Sequence, residues 1–262
     1  MIHRESRPRE WTLLHEARHL HESSINGIAF GPHEHGLVLA AASSDGRVSI
    51  LKHTANSSWT VDYLDDCPMG VNALSWAPYG AYYDSSSSST APTSSQVDKE
   101  GTDGNHTTNN QTSSSSSSSS FEAPRLVTAG CDNQIRFWIC DTENDGQWKP
   151  DVEAPISKDL QHSDWVRDVA WAPTLLPGQN TVASCSEDRT VLIWKQTSPK
   201  GEWKATLLHT FDAPVWRVSW SVTGHLLAVS SGDADVSLWK AGLDGKWTQV
   251  STVTEEPQPQ QS

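Results

Sequence analysis

Four stretches of the chain repeat one spacing, apolar-x-x-apolar-x-aromatic: Ile25, Ile28 and Phe30; Val71, Leu74 and Trp76; Val166, Val169 and Trp171; Val215, Val218 and Trp220. A second pattern follows each copy. Small apolar residues lead to an Asp-containing turn, and alternating apolar residues then run to a terminal position. These stretches are LAAASSDGRVSIL to Leu51, LVTAGCDNQIRFW to Trp138, VASCSEDRTVLIW to Trp194 and LAVSSGDADVSLW to Trp239. The turn acids Asp45, Asp132, Asp188 and Asp233 each stand six residues before the terminal position. A third pattern puts Trp at the head of an outer stretch, at Trp11, Trp59, Trp148, Trp203 and Trp247.

Short runs with a period of two, bounded by Gly, Asp, Ser and Pro, predict strands rather than helices. Each unit therefore supplies three strands and a Trp-led fourth. With an insert at residues 84–120 set aside, the terminal positions follow one another at 50, 56 and 45 residues. Four-stranded units at a period of about 40–45 residues mark the blades of a β-propeller. The expected fold is all-β: an open, incomplete propeller of four blades over residues 21–254, with the remnant of a fifth in residues 1–20.

Composition refines this picture. The insert holds 15 Ser and 6 Thr among its 37 residues, with Ala91 and Val97 as almost the only apolar side chains. It cannot bury enough surface to offset its ordering entropy, so it reads as a disordered surface insertion. The polar tail at 255–262 (EEPQPQQS) reads the same way, which leaves 217 residues for folded structure. The 19 Lys and Arg against 32 Asp and Glu give a net charge of −13. That balance argues against direct nucleic-acid binding, which needs a basic footprint. No apolar run reaches the ~18 residues of a membrane span, and no signal-like stretch follows Met1. Cys67, Cys131, Cys140 and Cys185 lack CxxC spacing and read as reduced thiols of a cytosolic chain, not as zinc ligands. His15, His19, His21, His33 and His35 have spacings that suit a metal, yet no HExxH frame or nearby Cys supports them, and they read as inter-blade loop residues. No P-loop, GxSxG or dinucleotide fingerprint is present. No catalytic residue, cofactor or metal site is expected.

One unit carries a full polar set: His162 before its first strand, Ser184 on the second, Asp188 in the turn and Trp194 on the third. Together they can form one buried, mutually satisfied chain. The combination of His, Ser and Asp is a hydrolase triad in name only, because Trp194 ends the chain and no oxyanion loop is evident. The other units depart from the set. The first has His21 and Asp45, but Ala41 and Leu51 in the Ser and Trp places; the second has Cys67 in the His place; the last has Phe211 and Val229. Trp165 and Trp216 stand outside the repeating Trp positions, either as binding anchors or as wedges between blades.

The segment HSDWVRDVAWAP (His162 to Pro173) resembles a signature of the Sec-thirteen family, the small WD-repeat subunits of the COPII outer coat. VNALSWAP from Val71, GCDNQIRFW from Gly130, VWRVSWS from Val215, and LLAVSSGDADVSLWK followed by GKWTQV are similar too. The resemblance runs from about Glu10 to Val250, outside the Ser-rich insert. It implies a WD-repeat propeller with no chemistry of its own, left open and completed by a blade that a partner donates. In the family that partner is the long Sec-thirty-one coat subunit, or an α-solenoid nucleoporin of the Y-shaped nuclear pore complex. The family also implies the cytoplasmic face of the endoplasmic reticulum, COPII vesicles in transport to the Golgi, the nuclear pore, and a complex that regulates nutrient (TORC1) signalling. A sister nucleoporin of the Seh-one type and a peptide-binding WD adaptor are the alternatives. Relative to the family, two blades' worth of sequence is missing at the N-terminus, as a truncated gene model or a short isoform would give. The donated blade is expected against the last blade, at Val215, Trp216, Val218, Leu227, Val236 and Leu238.

Overall fold

The computed structural model describes residues 1–82, 122–142, 146–173, 178–198, 200–233, 235–242 and 245–253. The Ser-rich insert and the polar tail lie outside the described residues. Strands β1 (Ile2–Arg7) and β2 (Glu10–His15) form an antiparallel pair. Four antiparallel four-stranded sheets follow. The first is β3 (Ile25–Phe30), β4 (Val38–Ser43), β5 (Arg47–His53) and β6 (Trp59–Asp65); the second is β7 (Val71–Trp76), β8 (Arg125–Gly130), β9 (Ile135–Asp141) and β10 (Gln147–Pro150). The third is β11 (Val166–Trp171), β12 (Asn180–Ser186), β13 (Thr190–Gln196) and β14 (Lys204–Thr210); the last is β15 (Val215–Trp220), β16 (Leu226–Ser231), β17 (Val236–Ala241) and β18 (Trp247–Val253). In each sheet the strands are neighbours in chain order, as short connections favour. These are the four units that the repeating pattern predicts.

Consecutive sheets stack through their first strands. Val71, Leu74 and Trp76 of the second sheet enter a hollow in the first formed by Val38, Ala40, Ala42, Val48 and Ile50. Val166, Val169 and Trp171 enter the matching hollow of Val127, Ala129, Ile135 and Phe137. Val215, Val218 and Trp220 then pack on Ala183, Cys185, Val191 and Ile193. Small and β-branched residues line the hollow, while large aromatics fill the wider end of the seam. The first sheet has no such neighbour. Its equivalent residues Ile25, Ile28 and Phe30 are 51%, 68% and 58% exposed, whereas those of the second and third sheets are at most 8% exposed.

In the last three sheets, nine of the tryptophans sit at or near the ends of first and third strands or at the head of the outer strand. Those at the end of the first strand meet the outer Trp of the same sheet: Trp76 with Trp148 at 5.7 Å, Trp171 with Trp203 at 5.5 Å and Trp220 with Trp247 at 5.8 Å between ring centres. Those of the third strand, Trp138, Trp194 and Trp239, donate their indole N–H groups to side-chain oxygens inside their own sheets. Trp203 is fully buried and also stacks on Phe137 at 4.2 Å, which ties the second sheet to the third. Its indole nitrogen has no hydrogen-bond partner. Trp203→Ala should therefore cost about 3–5 kcal/mol through the cavity it leaves. Trp203→Phe keeps a stacked ring and removes an unpartnered N–H, so it should cost at most about 2 kcal/mol. Urea denaturation of the two variants checks this, and equal losses would show that ring stacking is not what Trp203 supplies.

Candidate functional site

In the third sheet the four polar residues meet. The Trp194 indole N–H donates to Ser184 Oγ at 2.8 Å, Ser184 Oγ lies 2.7 Å from His162 Nε2, and His162 Nδ1 lies 3.0 Å from Asp188 Oδ2. One assignment satisfies every group: Ser184 donates to Nε2, and Nδ1–H donates to the carboxylate. Asp188 also accepts from the Ser163 and Thr190 N–H groups, each at 2.9 Å, and from the Thr190 hydroxyl at 2.6 Å. Burial alone would raise the Asp188 pKa, but His162, Thr190 and the Ser163 N–H outweigh it and hold the carboxyl well below its ordinary range. Ser184 is fully buried and already engaged on both sides, so no substrate can reach it as a nucleophile. The arrangement pins the approach to β11 onto the β12–β13 hairpin.

The other sheets rebuild the network with residues that the sequence pattern does not single out. In the first, His21 Nδ1 lies 3.0 Å from Asp45 Oδ2, and its Nε2 lies 2.9 Å from Ser49 Oγ. Ser49 stands directly across the hairpin from Ala41, so the missing hydroxyl comes from the facing strand. The last sheet makes the same exchange: Ser237 faces Val229 and accepts the Trp239 indole N–H at 2.8 Å. In the second sheet Thr128 faces Arg136. The Trp138 N–H is shared between Thr128 Oγ1 and Asp66 Oδ2, each at 3.1 Å, while Arg136 pairs with both Asp132 and Asp66. Arg136 thus supplies the cationic link where Cys67 replaces His. Burial pushes Asp66 up, against the pull of Thr128, Arg136 and Trp138. For Ser49 and Ser237 the signal is register: each sheet that lacks a hydroxyl on its second strand carries a serine directly opposite.

The histidines with metal-like spacing separate in the structure. His21 is buried in the network, His15 stacks on Trp59 at 5.0 Å, and His35 packs edge-on to Tyr79 at 5.4 Å. Among the described residues, no group of three or more His, Cys, Asp or Glu is arranged to hold a metal. All four cysteines are buried and unpaired.

The structure divides the residues expected at the partner seam. Val215, Val218 and Leu227 are at most 5% exposed and face the third sheet, so they do not line the outer face. A bulge between Val215 and Arg217 resets the alternation and turns Val215 and Val218 to the same side. Trp216 is 44% exposed but leans back over Arg167 of the third sheet. Val236 and Leu238 do occupy the outer face, paired across the ladder with Ser230 and Ala228. These four stand where the other three sheets place their hollows. Asp168 is a further residue of the seams: it is buried, and its carboxylate accepts the Val218 N–H at 3.1 Å. Burial raises its pKa despite that bond.

Four stacked four-stranded antiparallel sheets, each with an Asp turn and three of them with an indole near the end of the third strand, define an array of WD-repeat propeller blades. The WD domain, G-beta repeat, matches residues 12–51, 155–195 and 205–240. The chain is 38% identical to a protein SEC13 homolog of Drosophila melanogaster, over 99% of this chain and 65% of that protein. It is 38% identical to the protein transport protein sec13 of Aspergillus clavatus, over 94% of this chain and 70% of the relative, and 38% identical to a human SEC13 homolog over 80% and 56%. The chain belongs to the SEC13 family of WD-repeat proteins, and it spans about two thirds of the length of the Drosophila relative.

The networks set the response to acid. Burial acts to raise Asp45, but the Glu22 and Arg47 N–H groups, Ser43 and His21 hold it at about 2. Asp45 and Asp188 both bind protons more weakly folded than unfolded, where the ordinary value is near 3.9. Their contribution to stability is complete above that value and is lost as pH falls, through about 2 for Asp45 and lower for Asp188. Asp66 and Asp168, raised by burial, act in the opposite sense, and their contribution fades as pH rises. Urea midpoints should therefore fall between about pH 4 and pH 2, and Asp45→Asn should make that fall shallower. Asp188→Ala should cost about 1–3 kcal/mol near neutral pH, because buried donors lose their acceptor. An unchanged melting temperature in the Asp188 variant would show that the network does not hold the hairpin.

Proposed function

We propose that the chain is a non-enzymatic scaffold subunit of the COPII vesicle coat in transport from the endoplasmic reticulum to the Golgi, and of the nuclear pore complex, completed by a blade that a partner donates. The observation that carries this reading is the outer face of the last sheet. Ala228, Ser230, Val236 and Leu238 form there the kind of hollow that receives a neighbour's first strand at all three internal seams. A partner strand set laid on this face extends the stack by β-sheet packing, with about 25 cal/mol for each Å² of apolar area removed from water. The relatives named as protein transport proteins support the transport role. The partners in this reading are the long Sec-thirty-one-type coat subunit and an α-solenoid nucleoporin of the Y-complex. Contact with the membrane is then indirect, through the coat. Direct nucleic-acid binding is not part of this reading, given the net charge of −13.

Co-expression with the long coat subunit tests the assignment. Val236→Glu with Leu238→Glu should weaken capture at least about tenfold, because two charges would be buried in the seam. Val222→Glu should leave capture unchanged, since Val222 is 92% exposed in the wild type. Equal capture by the wild type and the double variant would move the partner to another surface.

A further inference from the structure

The outer strand of the second sheet is cut short. In the other three sheets the outer strand pairs with the third strand as far as Arg47, Thr190 and Val236, the residues that border the Asp turn. In the second sheet β10 stops at Pro150, opposite Trp138, and leaves Ile135, Arg136 and Phe137 without a ladder partner on that side. A proline at the end of a strand has no N–H to carry the ladder on. Asp151 donates once to the Phe137 carbonyl, at 2.8 Å, and the chain then crosses to the third sheet. There the Trp203 N–H donates to the Pro155 carbonyl and the Ser157 N–H to the Trp203 carbonyl, each at 2.8 Å. The crossing leaves a cavity of about 400 Å³ between the end of β6 and the second sheet. Phe137, Trp138 and the Asp66 side chain are its buried parts, and Asp65, Pro150 and Pro155 form an exposed rim.

The charges around this cavity do not cancel. Arg125 is taken by Asp151, at 3.0 Å. Arg136 alone serves both Asp66 and Asp132, and Asp65 has no ion-pair partner among the described residues. The deficit is sharpest at Asp66, whose side chain is fully buried. Its Oδ2 accepts the Trp138 indole N–H, but its Oδ1 accepts no hydrogen bond. Arg136 Nη1 stands 3.2 Å from Oδ1 without making one. Burial pushes the Asp66 carboxyl up in spite of that arginine, so the group is still short of positive charge.

These features select the occupant by exclusion. An anion would add to the surplus of acid, and a neutral apolar group would leave Asp66 Oδ1 buried without a donor. A metal ion lacks its ligands, since among the described residues no three His, Cys, Asp or Glu are placed to hold one. What remains is an organic cation whose stem suits apolar walls while its charged end meets a carboxylate. We propose that the cavity receives a lysine side chain of a partner protein, with its stem against Phe137 and Trp138 and its ammonium donating to Asp66 Oδ1. An ammonium has three N–H donors, so it can serve Oδ1 while Asp65 adds attraction at the mouth. One buried acceptor calls for one ammonium, and the exposed Pro150 and Pro155 offer a rim on which the partner's main chain can lie. The site belongs to the second sheet, so it does not rest on the partner assigned to the outer face of the last sheet.

The test titrates the 262-residue chain with the peptide acetyl-Gly-Gly-Lys-Gly-Gly-amide and follows the 13 indole N–H resonances. Trp138 donates to Asp66, so its resonance should move most, and saturably. The same peptide with norleucine for lysine keeps the stem without the charge and should bind at least about tenfold more weakly. Free butylamine has stem and charge but no main chain to cover the two prolines, and should bind at least about threefold more weakly. Asp66→Asn should weaken the lysine peptide about tenfold or more. Asp65→Asn should weaken it about two- to fivefold, the worth of one exposed charge. Asp212→Asn, exposed beyond the third sheet's outer strand, should leave binding unchanged. The Trp138 shift and the norleucine comparison are read on the wild type, so they hold even if a variant fails to fold. Absence of saturable binding, shifts centred on another indole, equal binding of the norleucine peptide, or equal binding of butylamine would overturn the proposal.

Discussion

Each sheet has one face that it cannot cover by itself. The first strand projects two apolar side chains and an aromatic ring away from its own sheet, and only the hollow of the preceding sheet can bury them. At the second sheet that hollow is Val38, Ala40, Ala42, Val48 and Ile50; at the last it is Ala183, Cys185, Val191 and Ile193. The small residues on the second strand are as necessary as the large ones on the first, since a bulkier side chain at Ala40 or Ala183 would hold the sheets apart. Stability in such a stack is close to a sum over neighbours. The sum has direction, because every seam joins a projecting face to a hollow one. The two ends of the array are therefore chemically different, with Ile25, Ile28 and Phe30 at one and Ala228, Val236 and Leu238 at the other.

The polar networks obey a looser rule. What recurs is a pair of facing positions, one on the second strand and one on the third, of which at least one is polar: Ala41 with Ser49, Thr128 with Arg136, Ser184 with Leu192, Val229 with Ser237. A hydroxyl on either strand reaches the same interior point, because side chains directly opposite in an antiparallel pair lie about 5 Å apart. A loss on one strand can thus be compensated on the other. A sheet that seems degenerate when read along one strand is intact when read across two.

This explains what the sequence reveals and what it hides. Strand positions, turn acids and the set from His162 to Trp194 follow from local spacing, and local spacing is written directly in the chain. Ser49, Ser237 and Arg136 depend on which residue lies across the ladder, and Asp66 on a contact with the next sheet, neither of which a linear pattern records. The outer face of the last sheet was obscured by a different cause. Strict alternation from Val215 would set it opposite Val218, yet the bulge at Trp216 returns both to the third sheet. The spacing alone does not tell the two faces of the last sheet apart, and Val215, Val218 and Leu227, expected at the partner seam, face the third sheet instead. WD-repeat membership, by contrast, rests on several local positions agreeing in four copies, and no single irregularity disturbs it.

The bulge also shows how a repetitive scaffold acquires a distinctive surface. Its second residue makes no ladder contact, so changing it costs the sheet little, whereas a change at the first or fourth residue would open a seam. Asn26 and Asn72 use that freedom to reinforce the stack, and Arg167 and Trp216 use it to hold two rings against the solvent. The Trp216 ring and the open hollow lie on opposite sides of the last sheet, because Trp216 turns back toward the third while Val236 and Leu238 face outward. Both surfaces are fixed to the same sheet through Val215, Val218 and Leu227, buried at its back. That buried seam holds both surfaces in a fixed relation to the third sheet.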